Sequence, residues 1–181
     1  MFHPISKQLG VKSKLTGFTL IELLVVTVIL GVLAAISLRS FQSSQIKSRD
    51  ARRKEDLATI SQALEAYYND KGGYPTGVGG QIVGCTSQTP VACVWGQPFQ
   101  DYRETFYMAQ LPEDPKNFNY FYVSSGGQYQ LYARLENMQD QSIPQVGGNP
   151  AIYTGTLCGT GVLCNYGIAS TNSQLAGAEE E

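Results

Sequence analysis

Residues 18–38 read FTLIELLVVTVILGVLAAISL and hold a single ionisable side chain, Glu22. A helix over this stretch, at about 1.5 Å per residue, is ~31 Å long, close to the ~30 Å hydrocarbon thickness of a bilayer. Its length and apolarity predict a membrane span. A carboxylate inside such a span is usually neutralised, paired or functional, so Glu22 is expected to meet a partner. A secretory signal peptide explains the stretch less well. The apolar run exceeds the usual core of roughly 7–15 residues, and Arg39-Ser40-Phe41 after it offers no small-x-small cleavage site.

Around the start of that stretch, Thr16-Gly17-Phe18-Thr19-Leu20-Ile21-Glu22-Leu23 resembles the processing motif of type IV prepilins and type II secretion pseudopilins. The elements are a basic leader ending in Gly, then Phe, then Glu four residues on within an apolar helix. The likeness covers Lys12 to about Leu38 and reaches more weakly to Pro75. It implies that a membrane-embedded prepilin peptidase cuts between Gly17 and Phe18 and methylates the new Phe18 amine. It also implies that Glu22 of one subunit receives the Phe18 amine of a neighbour. The reason is physical: a freed amine is a cation, and it enters an apolar filament core only where a carboxylate compensates it. Many pilins carry Pro shortly after the apolar run, where Arg39 stands here. Without the ring and with the amide donor kept, no fixed kink is predicted.

From Arg39 to about Lys71 the chain reads as the same helix continued. Leu57, Ile60, Leu64 and Tyr67 form one apolar stripe at the helical period, widened by Tyr68. Gly72-Gly73 followed by Pro75 is a strong stop signal. The first half is apolar all round and suits lipid or other helices, and the second is amphipathic and suits carrying a head. The basic cluster IKSRDARRKED, residues 46–56, reads either as a surface for anionic headgroups or acidic neighbours, or as a solvated face with local ion pairs.

The 181 residues leave room for one small domain beyond the span. Charge is unevenly spread. The leader 1–17 has three lysines, Lys7, Lys12 and Lys14, and no acid, whereas Glu55 to Glu181 holds thirteen acidic and four basic residues. So acidic a head argues against direct nucleic-acid binding through phosphate neutralisation. The lone histidine, His3, lies in the leader, so no mature His-based catalytic or metal site is available. Lys and Arg counted beside the span would place the C-terminal side in the cytoplasm. The family resemblance implies the opposite orientation, with the N-terminus cytoplasmic, and the cysteines agree with it.

Residues 72–117 lack periodicity and read as a connecting loop of the length that is usually functional or hides structure. Leu111-Pro112-Glu113-Asp114-Pro115 is a turn signal. Tyr120–Val123 and Tyr129–Leu135 are strand-like, and Ser124-Ser125-Gly126-Gly127 between them predicts a tight hairpin. Such a hairpin needs a third strand or a helix beneath it, and the 57-60-64-67 stripe is the natural cover. The sheet region is expected over 118–169, with 170–181 as a disordered tail. The fold class is thus α+β: a long N-terminal helix, membrane-spanning then amphipathic, packed on a small antiparallel sheet.

Four cysteines, all in the part expected to be exported, point to disulfides. They allow three pairings, of which the local ones, Cys85 with Cys93 and Cys158 with Cys164, each close a small loop and are favoured. Neither pair has the C-x-x-C spacing common in zinc sites. No cofactor and no metal is assigned. The resemblance does leave calcium open, because some pseudopilins bind it near the sheet. Glu136, Asn137, Asp140 and Gln141 supply oxygens, but they form no recognisable ligand loop.

Three function classes follow. The leading one is a structural subunit of a type IV pilus, a homo-oligomeric helical filament built with a pilus assembly platform and ATPase. Its precursor would sit in the inner membrane and its filament on the cell surface. The alternative is a pseudopilin of a type II secretion or DNA-uptake system. The third, an enzyme or sensor on a single span, has no nucleophile beside a histidine, no Gly-rich phosphate loop and no recognisable carboxylate pair to support it.

Overall fold

The computed structural model describes residues 17–85, 91–101, 103–116 and 118–180. The basic leader, with His3, Lys7, Lys12 and Lys14, lies outside them apart from its last residue, Gly17. The chain opens with one helix, α1 (Leu20–Lys71). It divides into two compact units, Met1–Gln42 and Ser43–Glu181.

In the first unit the apolar side chains of α1 are open to their surroundings: Leu23 is 60% exposed and Leu30 59%. By length and composition α1 can cross a membrane. Unlike a helix in a soluble core, none of its apolar window is buried among the described residues.

In the second unit the rest of α1 becomes the backbone of a packed head. Leu57, Ile60 and Leu64 are fully buried, and Tyr67 packs against the same core. Burying each such aliphatic side chain contributes about 1.5–3 kcal/mol. The helix ends as its sequence dictates. Gly72 adopts φ 73° and its N–H donates to the Tyr68 carbonyl at 2.7 Å, closing the last turn with a left-handed residue that has no Cβ to strain.

The stripe is covered by a three-stranded antiparallel sheet of β5 (Phe121–Ser124), β6 (Tyr129–Ala133) and β10 (Tyr166–Ala169), with β6 in the centre. Tyr122 and Ile168 both oppose Leu131 across the ladder. Strand alternation puts Leu131 and Ala133 into the helix-side core, while Tyr132 points to the other face. There it joins Tyr153 and the Cys158–Cys164 pair in a second, smaller cluster. That cluster belongs to a second sheet, built on the long β8 (Asn149–Gly159), to which β7 (Gln145–Val146), β9 (Val162–Cys164) and β11 (Ala178–Glu180) pair.

Two expectations need correcting. Residues 72–117 are not simply a loop, because they form two hairpins: β1 (Gly77–Val78) with β2 (Gln81–Ile82), and β3 (Phe99–Gln100) with β4 (Phe106–Met108). Strands of two or three residues leave no periodicity to read, yet Trp95, Phe99 and Leu111 from this segment are core residues. At Gly80 the need for glycine is steric: φ is 82° and a Cβ would lie 2.4 Å from the Phe121 ring. The second correction is the tail. Ser170 is 3% exposed and exchanges hydrogen bonds with Tyr129, and Ala178 pairs with Tyr153. Backbone pairing, polar bonds from Ser170 and Asn172 and the packing of Leu175 hold this segment, none of which shows as a periodic apolar pattern.

The structure joins Cys85 to Cys93 (Cα–Cα 5.3 Å) and Cys158 to Cys164 (5.1 Å). The first bond anchors the stretch between the two hairpins in the main core, and the second ties β8 to β9.

Candidate functional site

At the N-terminus of α1 the residues of the processing motif take up a specific local geometry. Gly17 and Phe18 precede the helix, and Phe18 is 91% exposed. Thr19 is the N-cap. Its Oγ1 accepts from the Glu22 N–H at 3.2 Å, and the Glu22 carboxylate accepts from the Thr19 N–H at 2.9 Å. The Thr19 hydroxyl donates to the same carboxylate oxygen at 2.9 Å. This is a capping box, in which T-x-x-E satisfies two otherwise orphaned backbone donors reciprocally. Glu22 therefore has an occupation within its own chain, and its carboxylate is held one helical turn from the Phe18 amine's position in sequence. The T-x-x-E spacing was readable from the sequence.

In the second unit the basic cluster is not a purely solvated face, because part of it turns inward. Arg53 is fully buried. Its guanidinium forks onto Asp114, Nε to Oδ2 at 2.6 Å and Nη2 to Oδ1 at 3.0 Å, while Nη1 donates to Asp50 and Glu136, each at 2.8 Å. The Phe118 ring stacks 5.2 Å from the guanidinium carbon. Arg49 adds a second fork onto Glu136, with both bonds at 2.7 Å, and Lys54 reaches Asp140 at 2.6 Å. Arg52 and Lys47 stay on the outside, Arg52 62% exposed and 3.9 Å from Asp56.

Each partner is delivered by its local structure. The LPEDP turn buries Leu111 and aims Asp114, whose Oδ1 also accepts from the Lys116 N–H at 2.9 Å. Asp50 accepts from the N–H groups of Glu136 and Asn137 at 2.9 and 2.8 Å, fixing the chain just after β6. The bond from Arg49 is the main influence holding Glu136 down at about 2, against burial and with help from Arg53 and Lys116. Burial works to discharge Arg53, but hydrogen bonds to Asp114 and Glu136 outweigh it and raise its pKa. Sequence reasoning missed this cluster, although one signal was present. Extending the 57-60-64 stripe backward by four and then three residues lands on Arg53 and Asp50, which places both on the buried face.

Three of the four residues on which a calcium reading would rest, Glu136, Asn137 and Asp140, already have partners. Glu136 accepts from Arg49, Arg53 and Lys116, the last at 3.2 Å. Asp140 accepts from Lys54 and from the Ser142 N–H at 2.9 Å, and the Asn137 side chain accepts from the Gln139 N–H at 3.3 Å. Among the described residues no cluster of three or more His, Cys, Asp or Glu side chains is placed to hold a metal. The donor set does not fit a divalent ion. The tyrosines serve packing and helix contacts: Tyr120 donates to Asp56 on α1 at 2.5 Å, and Tyr129 pairs with Ser61 at 2.6 Å.

Comparison with known proteins adds what geometry leaves open. Residues 12–38 match the prokaryotic N-terminal methylation motif, and residues 41–141 match the family model of type II secretion system protein G. Core protein G of the type II secretion system from Vibrio cholerae is 34% identical over 116 residues, covering 62% of this chain and 73% of that protein. The protein of the same name from Klebsiella pneumoniae is 34% identical over 121 residues, covering 65% and 81%. Its counterpart from Escherichia coli is 32% identical over 122 residues, covering 65% and 79%. No solved structure matches the chain significantly. These matches favour the alternative sequence reading, the pseudopilin, over the type IV pilus subunit placed first.

Proposed function

The chain belongs to the type II secretion protein G family, and on that premise we propose that it is a pseudopilin, a structural subunit that polymerises through α1 into a secretion filament. The observation that carries the proposal is the length of the match, because the likeness runs from the methylation motif through α1 and across the β5–β6 hairpin. In this reading prepilin peptidase cleaves after Gly17 and methylates the Phe18 amine. The precursor waits in the inner membrane, N-terminus in the cytoplasm. An assembly platform and its ATPase then extract it, and Glu22 exchanges its own Thr19 N–H for the Phe18 amine of a neighbour. The head does no chemistry. It spaces the subunits and presents an outer surface.

The test is disruption of the gene, with secreted proteins profiled by mass spectrometry and surface filaments counted by electron microscopy. Loss of a set of exported folded proteins, with surface pili unchanged, is the expected result. Loss of surface pili with an unchanged secreted profile would overturn the secretion reading in favour of a pilus subunit.

A further inference from the structure

We propose that Arg53 and Lys54 of α1 are the resident cations of the 136–143 turn, so that this head holds its acidic turn without the divalent ion that the family resemblance suggests. The charge count makes the case first. Asp50, Asp114, Glu136 and Asp140 are the carboxylates of the cluster, and Arg49, Arg53, Lys54 and Lys116 are its cations. Four charges of each sign close to zero. A calcium ion added to this set would leave two positive charges in excess, at a place where Arg53 is fully buried and has nowhere to withdraw.

Geometry agrees. Calcium takes about 6–8 oxygens at roughly 2.3–2.6 Å. Here Lys54 Nζ stands 2.6 Å from Asp140 Oδ1 and 2.9 Å from the Ser142 hydroxyl, the place an ion shared by these two oxygens would take. The turn is already closed by its own backbone, with the Asp140 N–H on the Asn137 carbonyl at 3.0 Å and the Ile143 N–H on the Asp140 carbonyl at 3.1 Å. Ile143 then plugs in with 1% exposure. A fixed ammonium and a fixed guanidinium supply the positive charge, and because both are covalently part of α1 they also tie the turn to the helix. The inference concerns head packing and stands whichever filament the chain builds.

The experiment uses the full chain in detergent micelles. Equilibrium dialysis against radioactive calcium should show no retained ion, and near-UV circular dichroism melts in EDTA and in millimolar calcium chloride should superpose. A native-state calcium site would raise Tm with ion concentration by mass action. Stoichiometric calcium uptake by the parent chain, or a Tm that climbs with calcium, overturns the proposal. Lys54→Ala should lose several degrees of Tm in EDTA, whereas Arg52→Ala, on the solvated side of the same turn, should lose none. A Lys54→Ala melt identical to the parent in EDTA equally overturns the role given to Lys54.

Discussion

Glu22→Leu is expected to insert, to be cut after Gly17 and to fold its head, yet to drop out of filaments almost entirely. The proposed assembly step gives the reason. In a monomer the carboxylate is satisfied by Thr19, so removing it costs the helix only its cap. In a filament the Phe18 amine of the next subunit is a cation without water around it, and nothing else in the span of residues 18–38 carries charge to receive it. Glu22→Gln separates the two duties. Gln serves as well as Glu in a capping box, so the helix start survives while the counter-charge is lost. Both variants should therefore be processed normally and both should fail to assemble, as counted by subunit mass spectrometry of filament fractions from cells co-expressing the parent. If Glu22→Gln assembles at parental efficiency and Glu22→Leu does not, the residue acts only as a cap.

Arg53→Met should destabilise the head by about 3–5 kcal/mol, because it strands Asp114, Glu136 and Asp50 without the cation they share. For a unit of this size that is a fall in Tm on the order of 10 °C. Arg53→Lys keeps the charge but loses the fork onto Asp114 and should fall in between. The acid limb of stability supplies a second readout. Glu136 is depressed to about 2 from an ordinary 4.5, so its contribution is complete above about 4.5 and is lost as pH falls through about 2. Asp56 opposes this trend, since burial raises it. In Arg53→Met the Glu136 contribution shrinks, and stability should fall less between pH 5 and pH 2 than in the parent. An acid limb as steep as the parent's would mean that Arg53 adds nothing to the hold that Arg49 keeps on Glu136.

Much of this was legible where the signal is local. The span, the capping spacing, the helix stop at Gly72 and the β5–β6 hairpin each depend on residues within one or two turns of each other. The ion cluster was not legible, because Arg53 finds Asp114 and Glu136 across 61 and 83 residues. No periodicity pairs a helix cation with a turn carboxylate at that range. Composition misled as well: a run as basic as residues 46–54 reads as surface, and only the backward extension of the apolar stripe shows which of its members turn inward. The hairpins of 72–117 and the pairing of β11 were hidden for the opposite reason. Their strands are too short, or too dependent on backbone bonds, to mark the side-chain pattern.

The proposal that the chain is processed at Gly17 and polymerises through the helix so exposed rests on the family and its N-terminal motif. Mass spectrometry of the N-terminal peptide, from subunits recovered in a sheared or affinity-purified filament fraction, tests it most directly. The account predicts a chain that begins at Phe18 with a methylated amine. An assembled subunit that begins upstream of Phe18, with the leader lysines still attached, would contradict it.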